Sequence, residues 1–401
     1  MHTEKKKRNM KNLLLILLFI LPLCANAQSD ELTIVKRVAN HVCDMSNHDL
    51  IVNTDGSCVI PCYYQEWRYV NGVLGQAMID LSQATKDEKY QEMVKANFDF
   101  FFDKTNFHYL KNQYDKGVRD YGYHRFFSMS SLDDCGAMGA ALAKLNAIYP
   151  KAEYVDYLKK IEGYILYGQG RITQGPFSRG KDANETVWLD DLYMSLSFLT
   201  QYGSLYNKQV CLKLAADQAL AFTNYLCDTR NGLFYHCYYV HENRPGVAHW
   251  GRANGWCLYA LALLLDVLPS EDPQYSSVLD IYKNAVADVC RYQDASGMWH
   301  QLLDKSDSYA ETSCTAMFAY SIAKGINKGW IDSGYGTVVN IAWKALTEQV
   351  TPQGELLGVC IGTGTSRDLS FYYNRPTPLN DAHGLGAFIQ CGIEVSKMKK
   401  D

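Results

Sequence analysis

Stretches with the period of an α-helix follow one another along nearly the whole chain, and they alternate between two kinds. One kind is apolar on a single face, with candidates near 31–45, 86–103, 152–167, 207–226, 273–292 and 335–349. The other is apolar or rich in small residues all round, near 67–83, 132–148, 190–202, 250–268, 309–325 and 382–397. A helix with one apolar face lies on a core, whereas a helix apolar on every side is buried on every side. The second kind is clearest from Trp256 to Val267. Tyr259, Leu263 and Leu264 lie on one side, Leu258, Leu261 and Leu265 on the others, and Pro269 stops the run. Tyr275, Val278, Leu279, Tyr282, Val286 and Val289 follow with the spacing of the first kind. Six such pairs, at intervals of roughly sixty residues, imply a closed ring of helical hairpins. That is an all-α (α/α)6 barrel with the buried helices inside and the one-faced helices outside. No linker-like stretch interrupts it, so residues 28–401 read as a single domain.

Inner helices of such a ring run parallel, so their N-termini gather at one end. The stretches there are EWRYVNG (66–72), SLDDCGAMG (131–139), VWLDDLYM (187–194), HWGRANGW (249–256), YAETSCTAM (309–317) and NDAHGLGAF (380–388). They hold most of the chain's unusual polar residues, with GLFYH (232–236) and SGMWHQ (296–301) in the loops that lead in. Free N–H groups and positive dipole ends at one rim favour an anionic ligand. A sugar bearing a carboxylate fits that field. The supply of 29 Tyr and 7 Trp suits sugar binding too.

Net charge is −4, with no basic block beyond the N-terminus, which argues against nucleic acid as a partner. At the N-terminus, Lys5, Lys6, Lys7, Arg8 and Lys11 precede a short apolar run from Leu13 to Leu23 and the small-x-small site Ala25-Asn26-Ala27. Residues 1–27 therefore read as a signal peptide, which implies export across an inner membrane to the periplasm. Leu23 before Cys24 is a poor match for lipid attachment at that cysteine. No later segment reads as transmembrane. The 13 Cys are scattered, mostly on apolar helical faces, and read as small buried hydrophobes, with Cys58 and Cys62 close enough in sequence to allow a disulfide. No His/Cys/carboxylate set has metal-ligand spacing, so no metal or other cofactor is expected.

Asp133–Asp134 and Asp190–Asp191 open two successive inner helices. Aspartate is a favoured residue at such places simply as a cap. Two doublets exceed what capping needs, and two carboxylates facing each other across a mouth can keep one protonated as a general acid. A buried Arg252 calls for an anion. Trp256, one turn later, is placed to stack on a sugar ring. His236 and His249 are candidate contacts on the same rim, as is Trp67 in the first of the stretches.

At these residues the chain resembles the unsaturated rhamnogalacturonyl hydrolases of glycoside hydrolase family 105, and more distantly the unsaturated glucuronyl hydrolases of family 88. The resemblance runs in order through LDDCGAMG, VWLDDLYM, GLFYH, HWGRANGW, SGMWHQ and YAETSCTAM. It implies an (α/α)6 barrel without a metal. The implied activity is hydrolysis of oligosaccharides that pectin-degrading lyases leave with a 4,5-unsaturated uronic acid at the non-reducing end. It puts the catalytic aspartate at Asp190 and the second aspartate in the Asp133–Asp134 doublet, with Asp134 preferred. His236, Arg252 and Trp256 match substrate-binding positions, and Asp191 is an extra acid beside the catalytic one. Two other readings stand beside it. One is a different sugar enzyme on the same toroid, such as an epimerase or an ordinary glycosidase. The other is a non-catalytic sugar-binding protein.

Overall fold

The computed structural model describes residues 30–399. The expected leader, Cys24 included, lies outside the described residues. The six inner helices are α2 (Tyr69–Thr85), α6 (Leu132–Ile148), α8 (Asp190–Leu205), α10 (Gly251–Val267), α12 (Thr312–Asn327) and α15 (Ala382–Val395). Each packs on the next, and α15 packs back on α2, closing the ring. The outer helices are α1 (Asp30–Met45), α3 (Lys89–Phe102), α7 (Ala152–Gly163), α9 (Gln209–Leu226), α11 (Tyr275–Cys290) and α13 (Gly336–Glu348). All twelve fall where the alternation of periodicity places them. No helix of the described residues is long and apolar enough to cross a membrane. Every cysteine among them is free, so Cys58 and Cys62 are buried and unbridged.

Small residues set the spacing of the inner wall. A Cβ at Gly136 would sit 1.7 Å from the Met194 carbonyl oxygen, and one at Gly72 would sit 2.4 Å from the Ala137 backbone. At Gly386 it would meet Val73 backbone at 2.8 Å. The backbones of α2, α6 and α8, and of α15 and α2, therefore touch with nothing between them, and no side chain can be added without moving a helix. Tyr193, Trp256, Tyr259 and Tyr320 fill the bore with tilted rings, Tyr193 and Trp256 having centroids 4.3 Å apart.

Elements the periodicity does not signal sit between the hairpins. Helix α4 (Lys104–Asp115) buries only Leu110 and Gln113. It is held at its start by Asp103, whose side chain accepts from Thr105 and Asn106 N–H. With so thin an apolar stripe, it has no helical signature in sequence. Strands β1 (Ile51–Val52) and β2 (Cys58–Val59) and the short helix α5 (His124–Ser128) precede α6. A three-stranded antiparallel sheet of β3 (Thr186–Trp188), β4 (Cys237–Tyr239) and β5 (Arg244–Pro245) ties the loop before α8 to the loop before α10. Its register pairs Trp188 with Cys237, so the residues that follow one and precede the other, Asp190 and His236, arrive side by side. A last short helix, α14 (Leu369–Tyr373), lies in the loop before α15.

Gly136→Ala is expected to destabilise the protein by about 3 kcal/mol or more, because it drives a methyl into backbone. Gly163→Ala, at the end of α7 with nothing near its notional Cβ, is expected to be neutral or to gain about 0.5 kcal/mol. Denaturant midpoints of the two variants measure the contrast.

Candidate active site

The loops that enter the inner helices are laced together by backbone hydrogen bonds. Leu189 N–H donates to His236 O, His236 N–H to Ala248 O, Gly251 N–H to Gln301 O and Thr312 N–H to Gly358 O. This lacing joins the approaches to α8, α10 and α12 and the strap that leads to α15. Asp190 is the first residue of α8 and keeps 14% of its side chain exposed, while His236 is wholly buried. Asp190 Oδ2 stands 3.0 Å from His236 Nε2, yet neither atom has an aligned hydrogen-bond partner. The contact is one of charge and proximity. On its other side, His236 Nδ1 lies 2.8 Å from the Tyr372 hydroxyl, which accepts from Ser366 N–H at 3.2 Å. Burial alone would push the Asp190 carboxyl up. His236 first, then Arg179, outweigh burial and hold it below the ordinary carboxylate range.

Arg179, which the sequence reading did not single out, organises the acids. Its Nε and Nη2 each donate at 2.7 Å to the two oxygens of Asp191. Nη1 and Nη2 also donate to Asp133 at 3.1 and 3.0 Å. The guanidinium lies 4.3 Å from the centre of the half-exposed Trp188 ring. One cation thus serves two carboxylates from neighbouring inner helices, with Asp190 a third acid within its field. Burial is the largest influence on Asp191 and pushes it up to about 6 in spite of Arg179, with Asp133 and Asp190 adding to the rise.

Asp134 does different work. It sits at the third helical position of α6 and forms a capping box with Ser131. One oxygen accepts from Ser130 N–H, Ser131 N–H and Ser130 Oγ at 2.7, 3.1 and 2.9 Å, and the other lies 3.2 Å from Arg125 Nε. Those partners all belong to the approach to α6. The Asp133 carboxylate, bridged by Arg179 to Asp191, is the one of the doublet that joins the Asp190 wall. Of the two, Asp134, the member the resemblance prefers, faces the approach to α6, and Asp133 faces α8. A doublet cannot reveal from sequence which member caps and which faces the neighbouring helix.

Arg252 is 1% exposed, as its place on an all-apolar helix implies. Its chief partners are carbonyls. Nη1 donates to Cys360 O at 2.5 Å and Nη2 to Ile361 O at 2.6 Å, with Ser313 Oγ at 3.2 Å and the buried Glu311 carboxylate at 3.9 Å. Glu311 accepts from Cys314 N–H, Ser313 Oγ and Cys360 N–H. Arg252 and Glu311 together clamp the strap 358–364, which crosses from α12 toward Trp188, with Gly364 beside that ring. His249 lies 3.3 Å from both Asp228 and Asp304, which holds the loops before α10 and α12 together.

Two of the expected sugar contacts lie in the interior. Trp67 is completely buried, donates from Nε1 to Asp134 O and packs edge-on against Phe98, Phe101, Phe126 and Tyr157. Trp256 is 2% exposed, against Tyr193 in the bore. The tryptophan on the accessible rim is Trp188, edge-on to His236. Tyr69, two residues after Trp67, is also partly exposed, and its hydroxyl meets His383 Nε2 at 2.6 Å. Among the described residues no group of three or more His, Cys, Asp or Glu is arranged to hold a metal ion.

The model of Glycosyl Hydrolase Family 88 matches residues 44–399. The chain belongs to that family. It is 23% identical over 342 residues to the unsaturated rhamnogalacturonyl hydrolase YesR of Bacillus subtilis, covering 83% of this chain and 91% of that one. It is 26% identical over 227 residues to an unsaturated 3S-rhamnoglycuronyl hydrolase of Formosa agariphila, covering 55% and 54%. Among solved structures, a possible member of glycoside hydrolase family 105 from Salmonella enterica superposes with a TM-score of 0.76 at 23% identity, over 94% of this chain and 96% of that one. An unsaturated glucuronyl hydrolase specific for heparin superposes with a TM-score of 0.65 at 15% identity, over 91% and 96%. These likenesses establish the (α/α)6 toroid, and family membership makes the protein a glycoside hydrolase.

Arg179→Met leaves Asp133 and Asp191 without their cation, and a loss of roughly 3 kcal/mol is expected. The loss should grow with pH. Without Arg179 the Asp191 carboxyl titrates higher still, and a raised carboxyl contributes stability at low pH that vanishes as pH rises through its folded value. Urea melts of wild type and variant at pH 5 and pH 8 should show the gap widening at pH 8.

Proposed function

We propose that the protein removes the 4,5-unsaturated uronic acid from the non-reducing end of lyase-generated oligosaccharides, with rhamnose as the neighbouring sugar. The observation that carries this reading is Asp190. Its Oδ2 is the carboxylate oxygen on the rim left without an aligned donor, while Asp133, Asp134, Asp191, Glu311 and Asp381 are each engaged by hydrogen bonds. The names of two relatives, one acting on rhamnogalacturonyl and one on rhamnoglycuronyl compounds, support rhamnose next to the uronate. The leader expected at residues 1–27 would carry the enzyme to the periplasm, where lyase products of pectin arrive.

The unsaturated ring is a vinyl ether, so the chemistry starts at the double bond. Asp190, protonated, gives its proton to C4, and the positive charge that develops is shared between C5 and the ring oxygen. Water adds to C5 and loses a proton to the Asp190 carboxylate. The hemiketal so formed opens by breaking the bond between C5 and the ring oxygen. The hemiacetal at C1 then expels the neighbouring sugar. His236 holds Asp190 in place, and the Asp133–Arg179–Asp191 bridge fixes the wall behind it. The helix N-termini and the fixed charge of Arg252 supply the positive field for the uronate carboxylate. Trp188 is the partly exposed tryptophan available to the sugar. This route differs from displacement at the anomeric carbon by paired carboxylates.

In the free enzyme Asp190 is held low, so the acid form is scarce. A bound uronate adds negative charge and excludes water, and both raise a carboxyl. The descending limb of kcat is therefore expected at higher pH than that of kcat/KM. Initial rates across pH 4–8, followed by loss of the substrate's ultraviolet absorbance, test this order of limbs; coincident limbs contradict it.

Asp190→Asn should lower kcat by about 10²–10⁴-fold with an unchanged melting temperature. Asp133→Asn should also impair turnover. Asp134→Asn should chiefly cost stability, about 1 kcal/mol, with kcat little changed. Full activity of Asp190→Asn removes it from the mechanism. Incubating saturated and unsaturated disaccharides side by side separates this reading from an ordinary glycosidase.

A further inference from the structure

Behind Tyr69 stands a chain of hydrogen bonds that the mechanism above does not use. The Tyr69 hydroxyl lies 2.6 Å from His383 Nε2, and His383 Nδ1 lies 2.5 Å from Asp381 Oδ1. Asp381 is anchored in turn as the cap of α15, accepting from His383 N–H at 3.0 Å. The two helices that carry these residues, α2 and α15, are the pair whose contact closes the ring. The strap clamped by Arg252 packs over the imidazole, with a Cβ at Gly362 falling 3.4 Å from His383 Nε2. Tyr69 remains partly exposed at the end of this chain.

Proton positions follow from the endpoints. A carboxylate accepts only, so Nδ1 of His383 carries a proton toward Asp381. Burial and the charge of Arg252 lower the His383 pKa, against the pull of Asp381, which favours the neutral ring. Nε2 of a neutral ring protonated on Nδ1 is an acceptor, so Tyr69 must donate to it. Burial, with Asp133 and Asp190 nearby, raises the tyrosine, so it keeps its proton. The Tyr69 oxygen is then left with lone pairs alone for any partner in the cleft. That oxygen lies within electrostatic reach of Asp190, Asp133 and Arg252.

We propose that the Asp381–His383–Tyr69 chain locks the Tyr69 hydroxyl as a hydrogen-bond acceptor and so aims the water that attacks C5, with His383 as a positioning residue acting through Tyr69. The inference rests on the vinyl-ether hydration proposed above. A water has two protons. Asp190, having given its proton to C4, accepts one, and the Tyr69 oxygen accepts the other in a hydrogen bond. A lone pair of the water oxygen is then directed at C5. As the O–C5 bond forms, the water's proton passes to Asp190, and Tyr69 and His383 keep theirs. A tyrosine free to rotate could present its own proton instead and misdirect that water.

The test measures kcat and KM on an unsaturated galacturonyl-rhamnose disaccharide for wild type, Tyr69→Phe, His383→Phe, the double variant and His383→Gln. Tyr69→Phe and His383→Phe are each expected to lower kcat by about 10- to 100-fold, the scale of a misplaced reactant, with KM changed less than about threefold. The double variant should be no worse than either single, since both remove one device. His383→Gln, whose amide oxygen can take the tyrosine proton, should recover at least part of the rate. In an Asp190→Asn background, His383→Phe should leave the disaccharide Kd unchanged by calorimetry, because water and not sugar is being aimed. Wild-type kcat in a folded His383→Phe, multiplicative losses in the double variant, or a loss confined to KM and Kd each overturns the proposal. If His383→Phe does not fold, wild-type kcat in Tyr69→Phe overturns it equally. A wild-type enzyme with no turnover of the disaccharide overturns the hydration reading and this proposal together, whereas an active wild type with unaffected variants overturns this proposal alone.

Discussion

Six parallel helices that start at one rim concentrate positive dipole ends there, and the structure around the mouth is a set of answers to that charge. Asp134 completes the capping box of α6, Glu311 caps α12 and Asp381 caps α15, each accepting from main-chain N–H groups. Asp190 and Asp191 open α8. With so many acids drawn to one ring, like charges crowd, and cations must separate them. Arg179 does so between Asp133 and Asp191, and Arg252 stands near Glu311. The electrostatics of the rim therefore follow from the packing of the inner wall. The backbone contacts at Gly72, Gly136 and Gly386 keep the helix ends close enough for one guanidinium to reach two helices.

Much of this architecture is legible in sequence because burial has a period. The alternation of one-faced and all-apolar helices carries the ring, its order and the location of its mouth. The same pattern is silent on what lies off-period. Arg179 sits in an irregular loop whose neighbours carry no motif, so nothing marks it as the hub between Asp133 and Asp191. The thin stripe of α4 and the two- and three-residue strands fall below what periodicity can register. The orientation of the aromatic side chains is silent in sequence for a related reason. Trp67 and Trp256 sit where the inner helices begin, but rotation about the helix axis decides whether a ring faces the mouth or the core. Trp67 turns into Phe98 and Phe126, and Trp256 onto Tyr193. Trp188, whose register is fixed by the strand pair with Cys237, stays partly exposed.

Arg252 shows how a residue can be rightly singled out and act in an unexpected way. The sequence argument was that a buried guanidinium needs an anion. Two main-chain carbonyls and a hydroxyl take most of its donors, and the carboxylate it does approach, Glu311, is itself occupied by N–H and hydroxyl groups. The cost of burying the cation is met by tying down the strap 358–364, which lies over His383 and reaches Trp188. HWGRANGW thus organises the site as much as it lines it. His249 braces two entering loops, Trp250 lies under Arg252, and Asn254 fixes Phe234 two residues before His236.

Two chains of polar contacts now reach the cleft in opposite senses. In one, Tyr372 lies behind His236 and the carboxylate of Asp190 comes forward. In the other, Asp381 lies behind His383 and the hydroxyl of Tyr69 comes forward. Each imidazole is largely buried, and the carboxylate of Asp381 fixes the tautomer of His383. The first chain sets His236 beside a carboxylate that must hold and release a proton. The second leaves an oxygen with lone pairs only. Hydration of a vinyl ether asks for a proton source and an oriented water in succession. A rim built to neutralise helix ends already contains the carboxylates and buried histidines from which both can be made. The reaction therefore requires no elements beyond those that close the ring and occupy its helix starts; it requires that the first residue of α8 and the chain behind the cap of α15 be turned toward the opening.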